Sequence, residues 1–250
     1  MFWTILGCGG SLGIPLVGCS CAVCTSDDPR NQRTRSAGLI TSATTTILID
    51  AGPDFRIQAL RAGISRLDAV VLTHEHQDHI GGIDDLRAIN FSMKASLPIY
   101  GSAATLARVR YQYDYAFAAE ESLSTRPALT LHEIDEAPFT IGDITLTPLP
   151  VIHGAWRVFG YRVGDLAYLT DTKEIPAATR ERLAGVDTII IDALRHTDHP
   201  LHFTVAEALA EIERIAPRRA FFTHMSHDLD YAATDAATPG HVAPAYDGLR

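Results

Sequence analysis

The 250-residue chain is short of the features that take a protein into a membrane or onto nucleic acid. No stretch approaches the roughly twenty consecutive apolar residues that span a bilayer. The opening Met1-Phe-Trp-Thr-Ile-Leu-Gly-Cys8 lacks a basic n-region, and its apolar run is too short for an export signal. A cytoplasmic protein is expected. Basic residues are outnumbered, 21 Lys and Arg against 30 Asp and Glu, and a formal net charge of −9 argues against the basic stripe that polyanion binding requires. No stable nucleic-acid partner and no membrane partner are therefore expected. There is no charge block, low-complexity stretch, linker or repeat at a solenoid period. A chain of this length can bury a large core, and one domain over residues 1–250 is the expectation.

Cysteine is also scarce, at four residues, and a reducing compartment disfavours pairing them as disulfides. Three of them form Cys19-Ser-Cys21-Ala-Val-Cys24, a Cys-x-Cys-x-x-Cys cluster that suits tetrahedral thiolate binding of one structural zinc. A fourth ligand is needed, and the candidate is His227 in Thr223-His-Met-Ser-His227; the alternative is that the thiols are small core residues. Cys8, in Gly7-Cys-Gly-Gly10, is expected to pack under the first strand. The Gly-rich opening matches neither a Walker nor a dinucleotide fingerprint and reads as a tight turn.

What the chain does have is Thr73-His74-Glu75-His76-Gln77-Asp78-His79, directly after the buried-strand pattern Leu67-Asp-Ala-Val-Val-Leu72. A strand that delivers His-x-His-x-Asp-His into a loop puts two nitrogen ligands on one metal and leaves an Asp and a His for a second, which points to binuclear hydrolytic chemistry. Three more donors follow apolar runs: His153 after Ile144–Ile152, Asp171 after Ala167–Thr170, and His224 after Arg219–Thr223. Strand ends are where rigid scaffolds present site residues. Donors reaching from His74 to His224 require both halves of the chain to meet at one site, which argues against independent domains.

The His-x-His-x-Asp-His segment with these later donors resembles the metallo-β-lactamase superfamily. The resemblance implies an α/β fold of four layers, an αββα sandwich, and two divalent ions at the catalytic site. By resemblance one ion takes His74, His76 and His153, the other takes Asp78, His79 and His224, and Asp171 bridges. The glycine-rich Leu6–Pro15, the cysteine cluster and the pairing of His224 with His227 narrow the likeness to the PhnP-type phosphodiesterases, over essentially the whole chain. That family implies hydrolysis of small cyclic phosphodiesters, a structural zinc apart from the catalytic pair, and a homodimer. Asp78 and His202 are carried over as catalytic side chains, His202 resembling the family's non-ligand histidine that assists departure of the alkoxide. Imidazole titrates near neutrality and suits that task. His196 and His199 crowd the same segment and are alternatives to His202, which could instead cap or pack at the start of a helix. Thr204 is the better N-cap, since Glu207 stands three residues on as in a capping box.

Asp50, ending Thr45–Asp50, resembles the strand-end aspartate that orients a ligand imidazole; capping the following turn is the other reading. Arg33 and Arg35 lie in a polar, turn-like segment that reads as a solvated face rather than a phosphate clamp. The run Tyr111-Gln-Tyr-Asp-Tyr-Ala-Phe117 reads as core, or as a pocket lining. Mixed imidazole and carboxylate ligands leave zinc and manganese both open for the catalytic pair. The expected enzyme is thus a metal-dependent phosphodiesterase acting on a small phosphodiester. Rivals on the same scaffold are hydrolysis of another ester or thioester, RNA processing, β-lactam hydrolysis, and metabolite binding without turnover as in PQQ-biosynthesis relatives.

Overall fold

A computed structural model describes residues 1–118 and 124–250. Among the described residues the strands form two sheets, each ordered as the chain runs. The first holds β1 (Phe2–Gly7), β2 (Ala37–Thr41), β3 (Thr46–Ile49), β4 (Ala69–Val71), β5 (Leu97–Gly101) and β6 (Leu129–Glu133). The second holds β7 (Phe139–Ile141), β8 (Ile144–His153), β9 (Trp156–Val163), β10 (Leu166–Leu169), β11 (Thr188–Asp192), β12 (Arg219–Thr223) and β13 (Val242–Pro244). Both follow one plan. Antiparallel hairpins open each sheet, through β3 and through β10, and parallel strands complete it. Parallel pairing demands crossovers, and these carry the helices, Phe55–Ala62 after β3 and Val205–Ile215 after β11 among them.

Period-two alternation explains the layering. Ile47, Ile49, Ala69 and Val71 enter a core shared with Leu149, Val151, Tyr161 and Ile190 of the second sheet. The intervening Leu48, Val70 and Ile99 enter a separate core with Phe55, Ile89 and Leu106 of the helices outside the first sheet. Ala208 and Ile212 of the helix Val205–Ile215 close the other side. The result is the four-layer α/β arrangement that the resemblance implies. Each fully buried Val, Ile or Leu contributes about 1.5–3 kcal/mol, so the strand ends rest on a well-packed scaffold.

Three readings are refined. The apolar run 67–72 is strand only over Ala69–Val71, although Leu67 and Leu72 are also buried. Thr204 does cap the helix Val205–Ile215, in a capping box with Glu207. The aromatic run divides: Tyr113 is buried and donates to the Ile80 carbonyl, while Tyr111 and Tyr115 are exposed. One reading is corrected. Arg33 does not lie on a solvated face; it is 1% exposed, and its guanidinium donates to the carbonyls of Arg30, Ser226 and Leu229 and to Asn31 Oδ1. Those acceptors replace water, and two of them lie almost two hundred residues away, beyond any local pattern. Arg35 is paired with Asp54. No helix among the described residues is long and apolar enough to cross a membrane.

Candidate metal centres

Five strand ends converge between the sheets. Asp50 follows β3 and the segment His74–His79, which runs into the short helix Gln77–Ile80, follows β4; on the facing sheet His153 ends β8, Asp171 follows β10, and His224 follows β12. Asp50, Asp171 and His224 each hold positive φ, at 63°, 50° and 55°. Such backbone is sparsely populated for residues other than glycine and persists only where the surroundings enforce it. Gly52 enables the approach of the loop: a Cβ there would lie 2.0 Å from the Asp78 carbonyl oxygen, and next to it the Ala51 N–H donates to the His79 carbonyl at 2.8 Å.

The convergence creates two donor groups that share one carboxylate. His74, His76, His153 and Asp171 offer ligand atoms within 4.8 Å of one another, and so do Asp78, His79, Asp171 and His224. The Asp171 carboxylate lies 3.8 Å from His74 Nε2 and 3.9 Å from His153 Nε2 on one side, and 3.1 Å from His79 Nε2 and 3.3 Å from His224 Nε2 on the other. Several rings are fixed by their other nitrogen. His79 Nδ1 meets Asp50 at 2.8 Å, and His153 Nδ1 meets the Leu201 carbonyl at 2.8 Å. Asp50 also accepts from the Thr73 backbone and hydroxyl. A partner at Nδ1 sets the tautomer that leaves the Nε2 lone pair free.

These residues fit divalent cations on grounds internal to the site. Among the described residues His79 Nε2 is buried without a hydrogen-bond partner, and His74 Nε2 faces His76 Nδ1 at 3.0 Å, so ring nitrogens converge where protein donors do not. Burial depresses His74 and His153, whereas the carboxylates dominate at His79 and His224. Burial alone would depress His79, but Asp171, Asp78 and Asp50 push it well above the ordinary imidazole value. Burial likewise opposes His224, which Asp171 and Asp78 raise to about 9. Asp171 is held well below the usual carboxylate range, because the surrounding imidazoles outweigh its burial.

His202 lies beside both groups. Its ring centroid is 4.7 Å from that of His153 and 4.5 Å from that of His224, against which it stacks. His202 Nδ1 meets Asp192 at 2.8 Å, and Asp192 also accepts from the Thr172 N–H at 2.7 Å. His199 is half-buried and His196 exposed, and among the described residues neither joins a donor group. Asp192 escaped the sequence reading, yet it carried a signal. Thr188-Ile-Ile-Ile-Asp192 ends an apolar run in an aspartate, as Thr45–Asp50 and Ala167–Asp171 do.

A second candidate donor group lies apart from these, with Cys24 buried and Cys19, Cys21 and His227 partly exposed. Cys19, Cys21 and Cys24 place their sulfurs 3.3, 3.5 and 3.6 Å from His227 Nδ1. The N–H groups of Leu16, Cys21 and Cys24 point at sulfurs, and the Cys24 N–H is the main cause that lowers the Cys21 thiol to about 6. Three thiols around one imidazole fit a tetrahedral zinc site. Cys8 lies apart from them, fully buried after β1 with its sulfur 3.6 Å from Asp247.

Known proteins bear on this geometry. The β-lactamase superfamily domain matches residues 45–225. A solved structure described as a new diphosphatase from the PhnP family is 39% identical, with a TM-score of 0.93 over 99% of this chain and 94% of that one. A protein of Porphyromonas gingivalis named octanoyltransferase is 41% identical over 98% of this chain but 50% of its own length, so the chain spans about half of that relative. Ribonuclease Z of Mycobacterium bovis is 27% identical over 78% of this chain and 81% of its own length. The chain therefore belongs to the β-lactamase superfamily, on its PhnP-type branch.

Proposed function

We propose that this protein hydrolyses small phosphodiesters, cyclic ribose or nucleotide phosphates among them, at a binuclear metal centre. The observation that carries the reading is the imidazole of His202, held by Asp192 against both donor groups without completing either of the two that share Asp171. In this reading His74, His76 and His153 would hold one cation, Asp78, His79 and His224 the other, and Asp171 both. Two divalent ions held by these residues would supply a water of lowered pKa and charge stabilisation for the oxygens of an in-line displacement.

The chain's own residues do the rest. Asp50 fixes the His79 ring through Nδ1, and the Leu201 carbonyl does so for His153. Asp192 holds His202 at Nδ1, which leaves Nε2 to carry the proton that a departing alkoxide takes. An alkoxide is a poor leaving group, so a diester with an alkyl leaving group depends on that proton. In a cyclic substrate the leaving hydroxyl stays tethered and needs only a local donor. Zinc and manganese both suit the imidazole and carboxylate set, and zinc suits the thiolates.

A second reading is hydrolysis of a phosphoanhydride, favoured by the diphosphatase 39% identical to this chain. The two differ in chemistry that His202 reports. A phosphate leaving group is far less basic than an alkoxide, so anhydride cleavage depends less on a proton donor. The test compares metal-loaded enzyme on a ribose cyclic phosphate, a linear alkyl diester, a dinucleoside diphosphate, an acyl thioester and a β-lactam. The thioester arm addresses the octanoyltransferase relative, half of which matches this chain at 41% identity. Both diesters turning over fastest supports the proposal. A dominant diphosphate rate, little changed in His202→Ala, replaces it with the second reading, and dominant thioester or lactam cleavage overturns both.

A further inference from the structure

Trp156 opens β9 directly opposite His153 in the β8–β9 pairing. Residues paired across antiparallel strands share a face, so the indole stands beside the donor groups. Its ring centroid is 5.3 Å from that of His76, nearly perpendicular at 80°, and 6.1 Å from that of His153, tilted by 35°. The connecting turn is tightly set: Gly154 has φ +62°, and a Cβ there would lie 2.3 Å from Leu201 Cδ2. The indole is nonetheless 46% exposed, and among the described residues no ring stacks on it face to face. Of the large apolar side chains that are exposed, Trp156 is the one in ring contact with the donor imidazoles.

A half-exposed tryptophan at the edge of a polar site is an unfilled apolar surface with a negative π-face. It is a poor neighbour for a second phosphate. The adjacent Arg157, on the other face of the strand by alternation, is already paired with Glu136. We propose that Trp156 forms a subsite for a planar heteroaromatic ring on the organic side of the substrate, as a nucleoside phosphodiester would present. This rests on the phosphodiester reading and names its substrate class. Every nucleobase has a π-face, so stacking on the indole adds affinity without demanding one particular base.

The experiment has two arms. In the first, metal-loaded wild type, Trp156→Ala and Trp156→Phe are compared on adenosine 2′,3′-cyclic phosphate and on a ribose cyclic phosphate that lacks a base. Trp156→Ala is expected to raise KM for the nucleoside substrate roughly tenfold more than for the baseless one, with kcat affected less, and phenylalanine to restore most of the loss. Equal penalties on both substrates, or a loss confined to kcat, would mean that the indole only shields the imidazoles and would overturn the subsite.

The second arm needs no turnover. The chain has two tryptophans, and Trp3 is buried, so Trp156→Phe supplies the blank for indole fluorescence. Adenosine 5′-monophosphate should quench the wild type and not Trp156→Phe. Quenching without hydrolysis of any diester would keep the subsite and remove the phosphodiester reading. Diester hydrolysis with neither quenching nor selectivity in KM would do the reverse.

Discussion

Asp50 and Asp171 occupy the same place in the two sheets. Each follows the strand at which antiparallel pairing gives way to parallel, β3 in one sheet and β10 in the other. Each has positive φ and is essentially fully buried. What differs is the chemistry that meets the carboxylate. Asp50 faces hydrogen donors, the Thr73 N–H and hydroxyl and His79 Nδ1, all at 2.8 Å. Asp171 receives the Thr170 hydroxyl and otherwise faces the Nε2 atoms of four imidazoles. One backbone device thus yields a positioning residue where backbone, hydroxyl and Nδ1 donors meet it and a candidate bridging ligand where the Nε2 edges of two donor groups converge on it. The opening after a parallel strand's carboxyl end is the common cause.

The sharpest way to break this pairing is to remove each aspartate in turn. Asp171→Ala should lower turnover about a thousandfold or more and reduce bound catalytic metal, because the shared anion between two cations is lost. Turnover and metal content by elemental analysis check it. Full metal content in Asp171→Ala would show that the two donor groups do not depend on a bridge.

Next in size is His202→Ala, expected to keep the metals and lower kcat about a hundredfold or more. Asp192→Asn should cost less, about tenfold, since the imidazole remains but loses its anionic partner. Should His202→Ala lose metal, His202 belongs with the ligands. An Asp192→Asn loss without a matching change in the pH profile of kcat would make Asp192 structural only.

Asp50→Ala completes the comparison with a smaller effect on turnover. Losing the anchor of His79 should weaken metal affinity about 10–100-fold, with kcat recovering at high metal. It should also destabilise the protein by about 1–3 kcal/mol, because the Thr73 N–H is left buried without an acceptor. A metal titration and thermal melts separate the two. Identical behaviour of Asp50→Ala and Asp171→Ala would erase the distinction drawn here.

The sequence made this site legible to unequal depths, for a physical reason. Four donors from His74 to His79 are close along the chain, so their spacing alone carries the chemistry. His153, Asp171 and His224 were legible as polar residues ending apolar runs, because buried strands bring such ends together. Asp192 ends the same kind of run and went unread, since its partner is an imidazole ten residues on, across a turn that no local pattern forecasts. The burial of Arg33 is not legible locally because two of its acceptors come from the His227 loop at the other end of the chain. The layers followed from resemblance, whereas the shared plan of the two sheets emerged only from the strand pairing.

The smallest expected effect on turnover, and the largest contrast with the aspartates, belongs to the thiolate centre. Its loop packs on a buried cluster of just Ile14, Val23 and Cys24, whereas the donors between the sheets rest on two extensive cores. Ordering at the cysteines should therefore come from ligation rather than from packing, as in small zinc modules. Cys21→Ser is expected to lose one zinc equivalent and to lower the melting temperature by about 5 °C, as a loss of about 2 kcal/mol would in a chain of this size. The kcat of the folded fraction should fall less than about fivefold, because Arg33 still ties the loop through the Ser226 and Leu229 carbonyls. His227 stands three residues beyond His224, so the two centres share one loop and the variant tests whether they act as one. A kcat loss as large as that of Asp171→Ala would show that the thiolate centre holds His224 in place. Unchanged zinc content would remove Cys21 from any metal site.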